Sequence, residues 1–587
     1  MTDKNKFVNL ADMQIIKNAE RERFALTDAA LLEHRFFLKP CRVKILMLVD
    51  LSISYSHSYF GLSTVLDTLR LNPEWWVKFD VTRAHRQTDI YKPPAADPAF
   101  ALYGPHYENF DFINTAGFNI DDYHEVWFYG FENGYDTTPP ALNLPPPALR
   151  NDELELLFKW MDKGGGVLAM GDHQDLGEAL CSKIPRARNM RKWKYDYMNP
   201  TDPANPPRPN GPDRHDTNRI GYDDAATGAD ESAQYSFDDE SDDIPQTTRL
   251  RWYYHHHCGK GHAHPHWHWP HFWSRSPHPV LCGTKGPINI LPDHPHEGEV
   301  VTPSVLTDTL TYGAYSAREY PDYSGSPLAP EIIAWGRVQD GHTNVSDVTK
   351  GVANAKEFGV IGAYNGHCVG VGRVVVDSTW HHWFDVNLTG RSSLLGSADP
   401  RKHNGFNDTT AGQAHLARIQ NYYRNVAVWL APTDKLKCMA SRGLWGSLFR
   451  FPLVADINIK MPIWHIGHHA INVLGNYAGQ CNVRLWWPLF IKKFPFQELL
   501  DPRHLKAPVE GLKMLDEFMI GGILHTLLAA KKEKFTLGKV PEDKELMALC
   551  EKGVQVGMQA LLQHMEEVGQ SNAHLLSVLK SSGKDKK

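Results

Sequence analysis

Residues 165–177 read Gly-Gly-Val-Leu-Ala-Met-Gly-Asp-His-Gln-Asp-Leu-Gly, and this stretch decides the predicted fold. Val167–Met170 is a short apolar run, which is typical of a buried parallel strand because helices cover both faces of such a strand. Asp172 and His173 follow at its carboxyl end. Residues 152–161 precede it and predict a helix, since Leu154, Leu157, Phe158 and Met161 share one helical face. The stretch therefore predicts a helix, a buried strand and a polar turn in succession.

Similar apolar runs recur on both sides of this stretch. We predict strands at Lys44–Asp50, Trp76–Val81, Glu125–Tyr129, Val280–Cys282, Ile288–Leu291, Ile332–Trp335, Gly359–Tyr364 and Gly372–Val376. Helices are expected from Asp175 and over Leu416–Leu430. This alternation predicts an α/β fold with a mostly parallel sheet and helices on both faces. Ligands of such sheets bind beyond the carboxyl ends of the strands.

The composition of the chain changes along its length and suggests three regions. Residues 1–40 are polar and predict a helical N-terminal extension, and residues 41–432 hold the α/β pattern. Residues 195–278 are rich in Pro, Asp, Asn and His and predict a long irregular insertion. Residues 433–587 have strong apolar stripes, which predict a mainly helical C-terminal domain.

Charge and cysteine content restrict the function classes. A net charge of −6 over 587 residues gives no basic field for nucleic acid, and no nucleotide cofactor is predicted. The eight cysteines are scattered, which favours unpaired thiols and a reducing compartment. Neither a signal sequence nor an apolar run long enough to cross a bilayer is recognisable. We therefore expect a soluble, cytoplasmic protein.

Three clusters of acids and histidines each follow an apolar run. They are Gly171–Gln174, Asp293–Glu297 and Asp377–His382. Carboxylates and imidazoles bind divalent metals and transfer protons near neutral pH. If the clusters meet at one edge of the sheet, they predict a site for metal-assisted hydrolysis with zinc, iron or manganese. The alternative is that these side chains only cap strand ends and bond to the backbone.

The roles predicted for this site fall into three groups. Catalytic roles are predicted for Asp172, His173, His381 and His382; substrate binding for Asp50, Glu132 and Asp377; and metal binding for Asp293, His294, His296 and Glu297. The histidine-rich residues 255–271 favour a surface loop over a catalytic role. His465, His468 and His469 lie on one helical face with apolar neighbours, which favours a partly buried helix.

Candidate nucleophiles are scarce. The chain has no Gly-x-Ser-x-Gly elbow, and neither Cys181 nor Cys368 lies at a predicted strand-to-helix turn. A Cys368–His367 pair is a weak alternative, because adjacency in sequence does not bring two side chains together.

These motifs resemble the class I glutamine amidotransferase-like domains, in which a strand leads into a sharp turn with a cysteine and then a helix. Here Asp172 stands about where that cysteine would be. The closer resemblance is to the ThuA-like branch, which also lacks the cysteine and has a His-Pro segment, an acidic turn and a Gly-Lys-Gly-Arg-Val-type strand ending in histidine. This chain has His278–Pro279, Asp293–Glu297 and Gly370–Val374, followed by His381 and His382. The resemblance covers residues of about 41–430, implies a flavodoxin-like architecture and favours carbohydrate-related substrates.

The sequence leaves two functions open. The first is a metal-assisted hydrolase of a small polar molecule, and the second is a non-catalytic ligand-binding or sensory module with a helical tail for interaction or oligomerisation. For the aromatic-rich residues 440–500, packing against the α/β domain is favoured over contact with a membrane surface.

Overall fold

The computed structural model describes most of the predicted α/β and helical regions. The described residues are 40–50, 53–58, 60–87, 104–132, 148–172, 176–193, 246–253, 276–292, 299–338, 356–389, 406–407, 410–450, 460–491, 514–537 and 541–582.

A mixed sheet of 11 strands forms the centre of the molecule. Its strands are β1 (Cys41–Val49), β2 (Val77–His85), β3 (His106–Tyr107), β4 (Glu125–Tyr129), β5 (Gly166–Met170), β6 (Arg191–Lys192), β7 (Arg249–Leu250), β8 (Glu299–Val300), β9 (Glu331–Val338), β10 (Lys356–Tyr364) and β11 (Val374–Asp377).

The parallel part of the sheet has the order β3-β2-β1-β4-β5-β11. Beyond it, β10 pairs antiparallel with β11, β9 and β8, while β8 pairs with β6 and β9 with β7. The chain moves from β1 to β2 on one side and returns to β4 on the other. The order therefore reverses between β1 and β4, and their carboxyl ends border the position where open α/β sheets bind ligands.

Helices and small ribbons surround the sheet. The helices are α1 (Ser63–Arg70), α2 (Asn151–Asp162), α3 (Glu178–Cys181), α4 (Asp385–Thr389), α5 (Thr410–Leu430), α6 (Thr433–Arg450), α7 (Ile463–Ala478), α8 (Gln480–Arg484), α9 (Leu515–Leu537) and α10 (Asp543–Ser582), with short 3-10 turns at Ile120–Asp122, Pro279–Leu281, Gly366–Val369 and Trp487–Phe490. The ribbons pair Trp252–Tyr253 with Ser276–Pro277, Cys282–Gly283 with Gly286–Pro287, Gln246–Thr247 with Ile290–Leu291, Thr309–Tyr312 with Tyr315–Arg318, and Asp322–Tyr323 with Ser326–Pro327.

Alternating side chains of the parallel strands build two apolar cores, one on each face. From β1, Ile45 and Met47 enter the first core, whereas Leu46 and Leu48 enter the second. Helices α1 and α5 and the C-terminal helices contribute to the first core, and α2 and α3 contribute to the second. Burial on both faces explains why these strands are almost continuously apolar.

The α/β prediction is confirmed for this part of the chain. Predicted Glu125–Tyr129 matches β4, and predicted Leu416–Leu430 lies within α5. Within residues 195–278, for which the sequence predicts a long irregular insertion, β7 pairs with β9. Its neighbours Trp252–Tyr253 and Gln246–Thr247 are also paired.

The C-terminal helices pack against the α/β region. Trp76 of the segment before β2 contacts Trp486, and Trp75 contacts Tyr477. Trp445, Trp486, Trp487 and Phe490 are all buried, so these aromatic side chains are packed as the sequence favoured and do not form a surface. No described helix is at once long enough and apolar enough to span a bilayer. Lys492, Lys493, Phe494 and Phe496 lie outside the described residues.

Two disulfides join the same regions. Cys41 at the start of β1 pairs with Cys438 of α6 across 6.1 Å between Cα atoms, and Cys282 pairs with Cys481 of α8 across 6.3 Å. The expectation of unpaired cysteines is therefore wrong for these four. Sequence spacing did not indicate the pairs, because their partners lie 397 and 199 positions apart. The inference of a reducing compartment loses the support that unpaired thiols gave it.

The close approach of α7, α9 and α10 gives a test of this packing. A Cβ on Gly521 of α9 would overlap the Ile463 carbonyl oxygen of α7, whereas a Cβ on Gly569 of α10 has no heavy atom within 4 Å. We expect Gly521→Ala to lower the free energy of unfolding by about 1–3 kcal/mol, as overpacked sites do. Gly569→Ala should be neutral or slightly stabilising, because Ala favours helix. Denaturant unfolding of both variants measures this, and equal stability would contradict the packing.

Thiol labelling tests the cross-links. With maleimide in denaturant, Cys41, Cys438, Cys282 and Cys481 should react only after reduction, whereas Cys181, Cys368 and Cys550 should react without it. Mass spectrometry of the peptides shows which cysteines carry the label before and after reduction. Full labelling of Cys41 and Cys282 before reduction of freshly purified protein would contradict the pairing.

Candidate active site at the carboxyl edge of the sheet

The carboxyl ends of β1, β4, β5 and β11 bring several predicted site residues to one edge. Asp50 follows β1, Glu132 follows β4, Asp172 follows β5, and residues 378–382 follow β11. β4, β5 and β11 are consecutive parallel neighbours, and β1 lies beside β4. The shared direction of these strands is why segments distant in sequence meet here.

Asp50 is a buried carboxyl group at the reversal of the strand order. Its Oδ2 accepts hydrogen bonds from the amides of Phe131 (2.5 Å) and Glu132 (2.7 Å). No described residue donates to Oδ1, which is also buried. Burial raises the pKa of Asp50 to about 7, against the lowering effect of the two amides. The group can therefore hold or release a proton near neutral pH.

Three glycines let the turns after β4 and β5 touch. The Gly177 amide donates to the Glu132 carbonyl oxygen (3.2 Å), and the Asp172 amide donates to that of Leu176 (3.1 Å). A Cβ on Gly130 would lie 2.6 Å from the Gly177 Cα, and a Cβ on Gly171 would lie 2.5 Å from the Leu176 carbonyl oxygen. Gly177 has a φ of +88°, which favours glycine. These contacts join the turn that holds Asp50 to the turn that carries Asp172.

Asp172 and His381 form a buried pair. Asp172 Oδ2 lies 3.3 Å from His381 Nε2, and each side chain is only 1% exposed. The first and third predicted clusters thus meet through these two residues. The 3.3 Å contact has ion-pair distance but not hydrogen-bond geometry. A carboxylate this close stabilises positive charge on an imidazole.

Arg191 of β6 ties the same two turns together. Its Nη2 donates to the Asp172 carbonyl oxygen and, at 3.2 Å, to that of Ser378, and its guanidinium lies over the Trp193 ring. Arg191 could not be predicted from the sequence, since a two-residue strand has no periodicity from which to infer its position.

His382 and Asp377 belong to a different network. Asp377 Oδ2 accepts from His382 Nδ1 (2.9 Å), Trp383 Nε1 (3.0 Å) and Tyr422 OH (2.8 Å), and both residues are fully buried. The tight turn after β11 is held by two bonds, Thr379 N to Asp377 Oδ1 and His381 N to Thr379 Oγ1. The network fixes residues 377–383 against α5. These contacts therefore support a structural role for Asp377 and His382. They support a catalytic role for His381 alone.

The segment after β11 then crosses the edge of the sheet to reach α1. Asp385 is buried and its carboxylate accepts from the amides and hydroxyls of Ser63 and Thr64, at 2.6–3.2 Å. It therefore caps the amino end of α1 from 322 positions away. Sequence reasoning missed this cap, because N-caps are recognisable only when they are local.

Aromatic rings lie beside the acid–histidine pair. Trp380 contacts Phe60 at 4.6 Å, Phe131 at 5.4 Å and His381 at 5.1 Å between ring centroids. Phe60 and Phe131 are partly exposed, while Trp380 is buried. No described residue accepts a hydrogen bond from Trp380 Nε1. The edge thus offers apolar faces and one indole donor next to ionisable groups.

The thiols near this edge are poorly suited to nucleophilic attack. Cys181 is buried at the end of α3, its Sγ contacts the Met170 carbonyl oxygen at 3.4 Å, and burial raises the pKa of its thiol. Cys368 lies in the turn that precedes β11, at the opposite edge of the sheet. The Asp172 position carries no thiol.

Several predicted residues lie outside the described part of the chain: His173, Asp293, His294, His296, Glu297 and the histidine-rich residues 255–271. Among the residues that are described, no group of three or more His, Cys, Asp or Glu side chains is arranged to hold a metal ion. His465 and His468 are exposed on α7 and His469 is partly buried, as expected for a half-buried helix.

A cavity of 410 Å³ lies at the opposite edge, near the end of α2. Its lining includes Asp121, Lys163, Asp162 and Tyr315. These groups pair with one another, Lys163 with Asp121 at 3.1 Å and Tyr315 OH with Asp162 at 2.5 Å. The cavity is therefore separate from the edge that carries Asp50 and His381.

No protein-family model, curated protein or solved structure matches the chain. The function must be argued from the site itself.

The raised pKa of Asp50 predicts a pH dependence of stability. Folding raises this pKa from 3.8 to about 7, so the folded protein binds the proton more tightly than the unfolded chain. The resulting stabilisation is present below about pH 4 and is lost as the pH rises through 7, with a magnitude on the order of a few kcal/mol. The Asp50→Asn variant cannot ionise at this position, so it should not lose this stabilisation as the pH rises. The difference between its melting temperature and that of the wild type should therefore increase from pH 5 to pH 8.

The matched control is Asp122→Asn, which changes an exposed carboxylate. Its melting temperature should follow that of the wild type across this range. If Asp50→Asn also follows the wild type, the Asp50 carboxyl is solvated and not buried as described.

Proposed function

We propose that the protein is a hydrolase of a small polar molecule, acting at the carboxyl edge of the sheet. The observation that carries this proposal is the buried Asp172–His381 pair, which stands at the same edge as a carboxyl group whose pKa is about 7. Perturbed ionisable groups that converge beyond the strand ends of an α/β sheet are typical of active sites.

The proposed reaction uses one general base, His381, and one general acid, Asp50. His381 takes a proton from the attacking water, and the nearby Asp172 carboxylate stabilises the imidazolium that forms. Asp50, protonated in a large fraction of molecules near pH 7, donates a proton to the leaving group. Trp380, Phe60 and Phe131 exclude water from one side of the substrate.

A divalent metal ion is part of the proposal. Its candidate ligands are Asp293, His294, His296 and Glu297, whose carboxylates and imidazoles are of the types that zinc, iron or manganese accepts. When bound, such a metal lowers the pKa of a water molecule and makes it a better nucleophile.

The family assignment is also a proposal. Leaving out the two-residue β3, the parallel order β2-β1-β4-β5-β11 corresponds to the flavodoxin-like order, and a turn and the short α3 follow β5. This order supports a flavodoxin-like architecture; the amidotransferase-like family and its ThuA-like branch rest on the sequence motifs. Asp172 in place of the cysteine excludes the usual acyl-enzyme route at that position.

One observation favours the alternative of a ligand-binding or sensory module. The described residues near the edge offer no thiolate, since the Cys181 thiol is buried and its pKa is raised. In such a module, Asp50 and Trp380 would hold a ligand by hydrogen bonds and no bond would break.

Site variants separate the two functions. Purified, untagged protein is assayed with chromogenic esters, anilides and glycosides, with and without added zinc, manganese or iron. We expect the protein to hydrolyse one of these substrate classes. His381→Gln and Asp50→Asn should each lower kcat by about 100-fold or more, as the loss of a general acid or base does. Elemental analysis measures the metal content, which should fall in Asp293→Ala and persist in a variant without residues 255–271.

Glu74→Gln is the matched control. Glu74 is also a buried carboxyl whose pKa is raised to about 7, but it precedes β2 and therefore lies at the opposite edge. Its variant should keep wild-type kcat. Equal loss of activity in all three variants would indicate general damage, and no hydrolysis of any class would favour the ligand-binding module.

A further inference from the structure

The last helix of the chain extends far beyond the helix that it packs on. α9 and α10 run antiparallel, and the contact between Phe518 and His564 marks where the start of α9 lies along α10. Residues 566–582 continue for 17 positions, or about 25 Å at 1.5 Å per residue. Every residue from 569 to 581 is exposed.

The apolar stripe that α10 buries continues along this projection. Leu546, Cys550, Val554 and Leu561 are buried where α9 covers the helix. At 100° per residue, Met565, Val568, Asn572, Leu575 and Leu579 lie within about 40° of Leu561, with the alternating spacing of four and three that defines a helix–helix seam. Leu575 and Leu579 are 56% and 66% exposed. A seam of this kind on a surface helix indicates a further helical partner.

The charges of the projection favour a second copy in the opposite direction. Glu566 and Glu567 lie at its beginning, and Lys580 lies at its end, with Lys584, Lys586 and Lys587 after it in the sequence. Parallel copies would place like charges side by side, whereas antiparallel copies place each acidic end near a basic end. A membrane surface is a poorer fit, because the acidic pair flanks the apolar stripe.

We propose that residues 561–582 of two copies of this chain pair as antiparallel helices and join them into a dimer. With the centre of the pair between residues 573 and 574, Val568 packs against Leu579 of the other copy, and Asn572 packs against Leu575. Because Asn572 then faces Leu575 and not another polar side chain, it lowers the stability of the seam. The interface is short, so the dimer exchanges with monomer in the micromolar range.

The dimer is tested with the full chain by sedimentation velocity between about 0.5 and 100 µM. The wild type should shift from monomer to dimer, and Leu575→Asp should weaken the dimer at least about 30-fold. Ser577→Asp adds the same charge on the opposite face of the helix and should leave the dimer unchanged. Circular dichroism confirms that each variant stays helical. A wild type that is monomeric throughout, or equal effects of the two variants, overturns the proposal.

Disulfide cross-linking tests the orientation. After oxidation with diamide, the double variant Val568→Cys/Leu579→Cys should give a covalent dimer, because the two positions face each other between copies. Each single variant should stay at the wild-type level. Cross-linking of the single variants would indicate a parallel pair and overturn the proposal. Flotation of the wild type, but not of Leu575→Asp, with vesicles of phosphatidylserine and phosphatidylcholine would assign the stripe to a membrane instead and likewise overturn it.

Discussion

The parallel pairing of Gly166–Met170 with Val374–Asp377 is the constraint on which the candidate site depends. This register brings the turn after each strand to the same edge, so that Asp172 and His381 lie 3.3 Å apart although they are 209 positions apart in the chain. Arg191 then fixes both turns by donating to one carbonyl oxygen of each. The glycine contacts between the turns after β4 and β5 extend the connection to Asp50. The site is therefore a consequence of strand order and close backbone packing.

Burial determines what the acidic groups of the molecule do. Glu153 is fully buried but lies opposite Arg86 at 2.6 Å, and Asp385 is buried but accepts from two amides and two hydroxyls of α1. These carboxylates are compensated by charge or hydrogen bonds, and their role is to hold the fold. Asp50 has only two amides on one oxygen, so burial dominates and raises its pKa. Burial raises the pKa of Asp385 as well, so the place of Asp50 beyond the strand ends, and not its pKa alone, distinguishes it from the structural carboxylates.

The sequence predicts the parallel strands well, because burial on both faces makes them apolar whatever their partners are. It also predicts that Asp50, Asp172 and His381 follow strands. It does not separate His381 from His382, because the turn at Asp377–His381 is set by side-chain bonds that have no periodic signal. The sequence also gives no signal for Arg191, the cap by Asp385 or the two disulfides. Each of these depends on a tertiary contact between distant segments. His173, Asp293, His294, His296 and Glu297 lie outside the described residues, so their predicted roles rest on the sequence alone.

The proposed function depends most directly on Asp50, a buried carboxyl group that holds its proton up to about pH 7 at the edge that also carries the Asp172–His381 pair. Carbon-13 NMR of protein labelled at the aspartate Cγ, with the Asp50 signal assigned by its loss in Asp50→Asn, measures that carboxyl group directly. The account predicts a titration midpoint near pH 7 for Asp50. A midpoint near pH 4 would show a solvated carboxylate and contradict the proposed site.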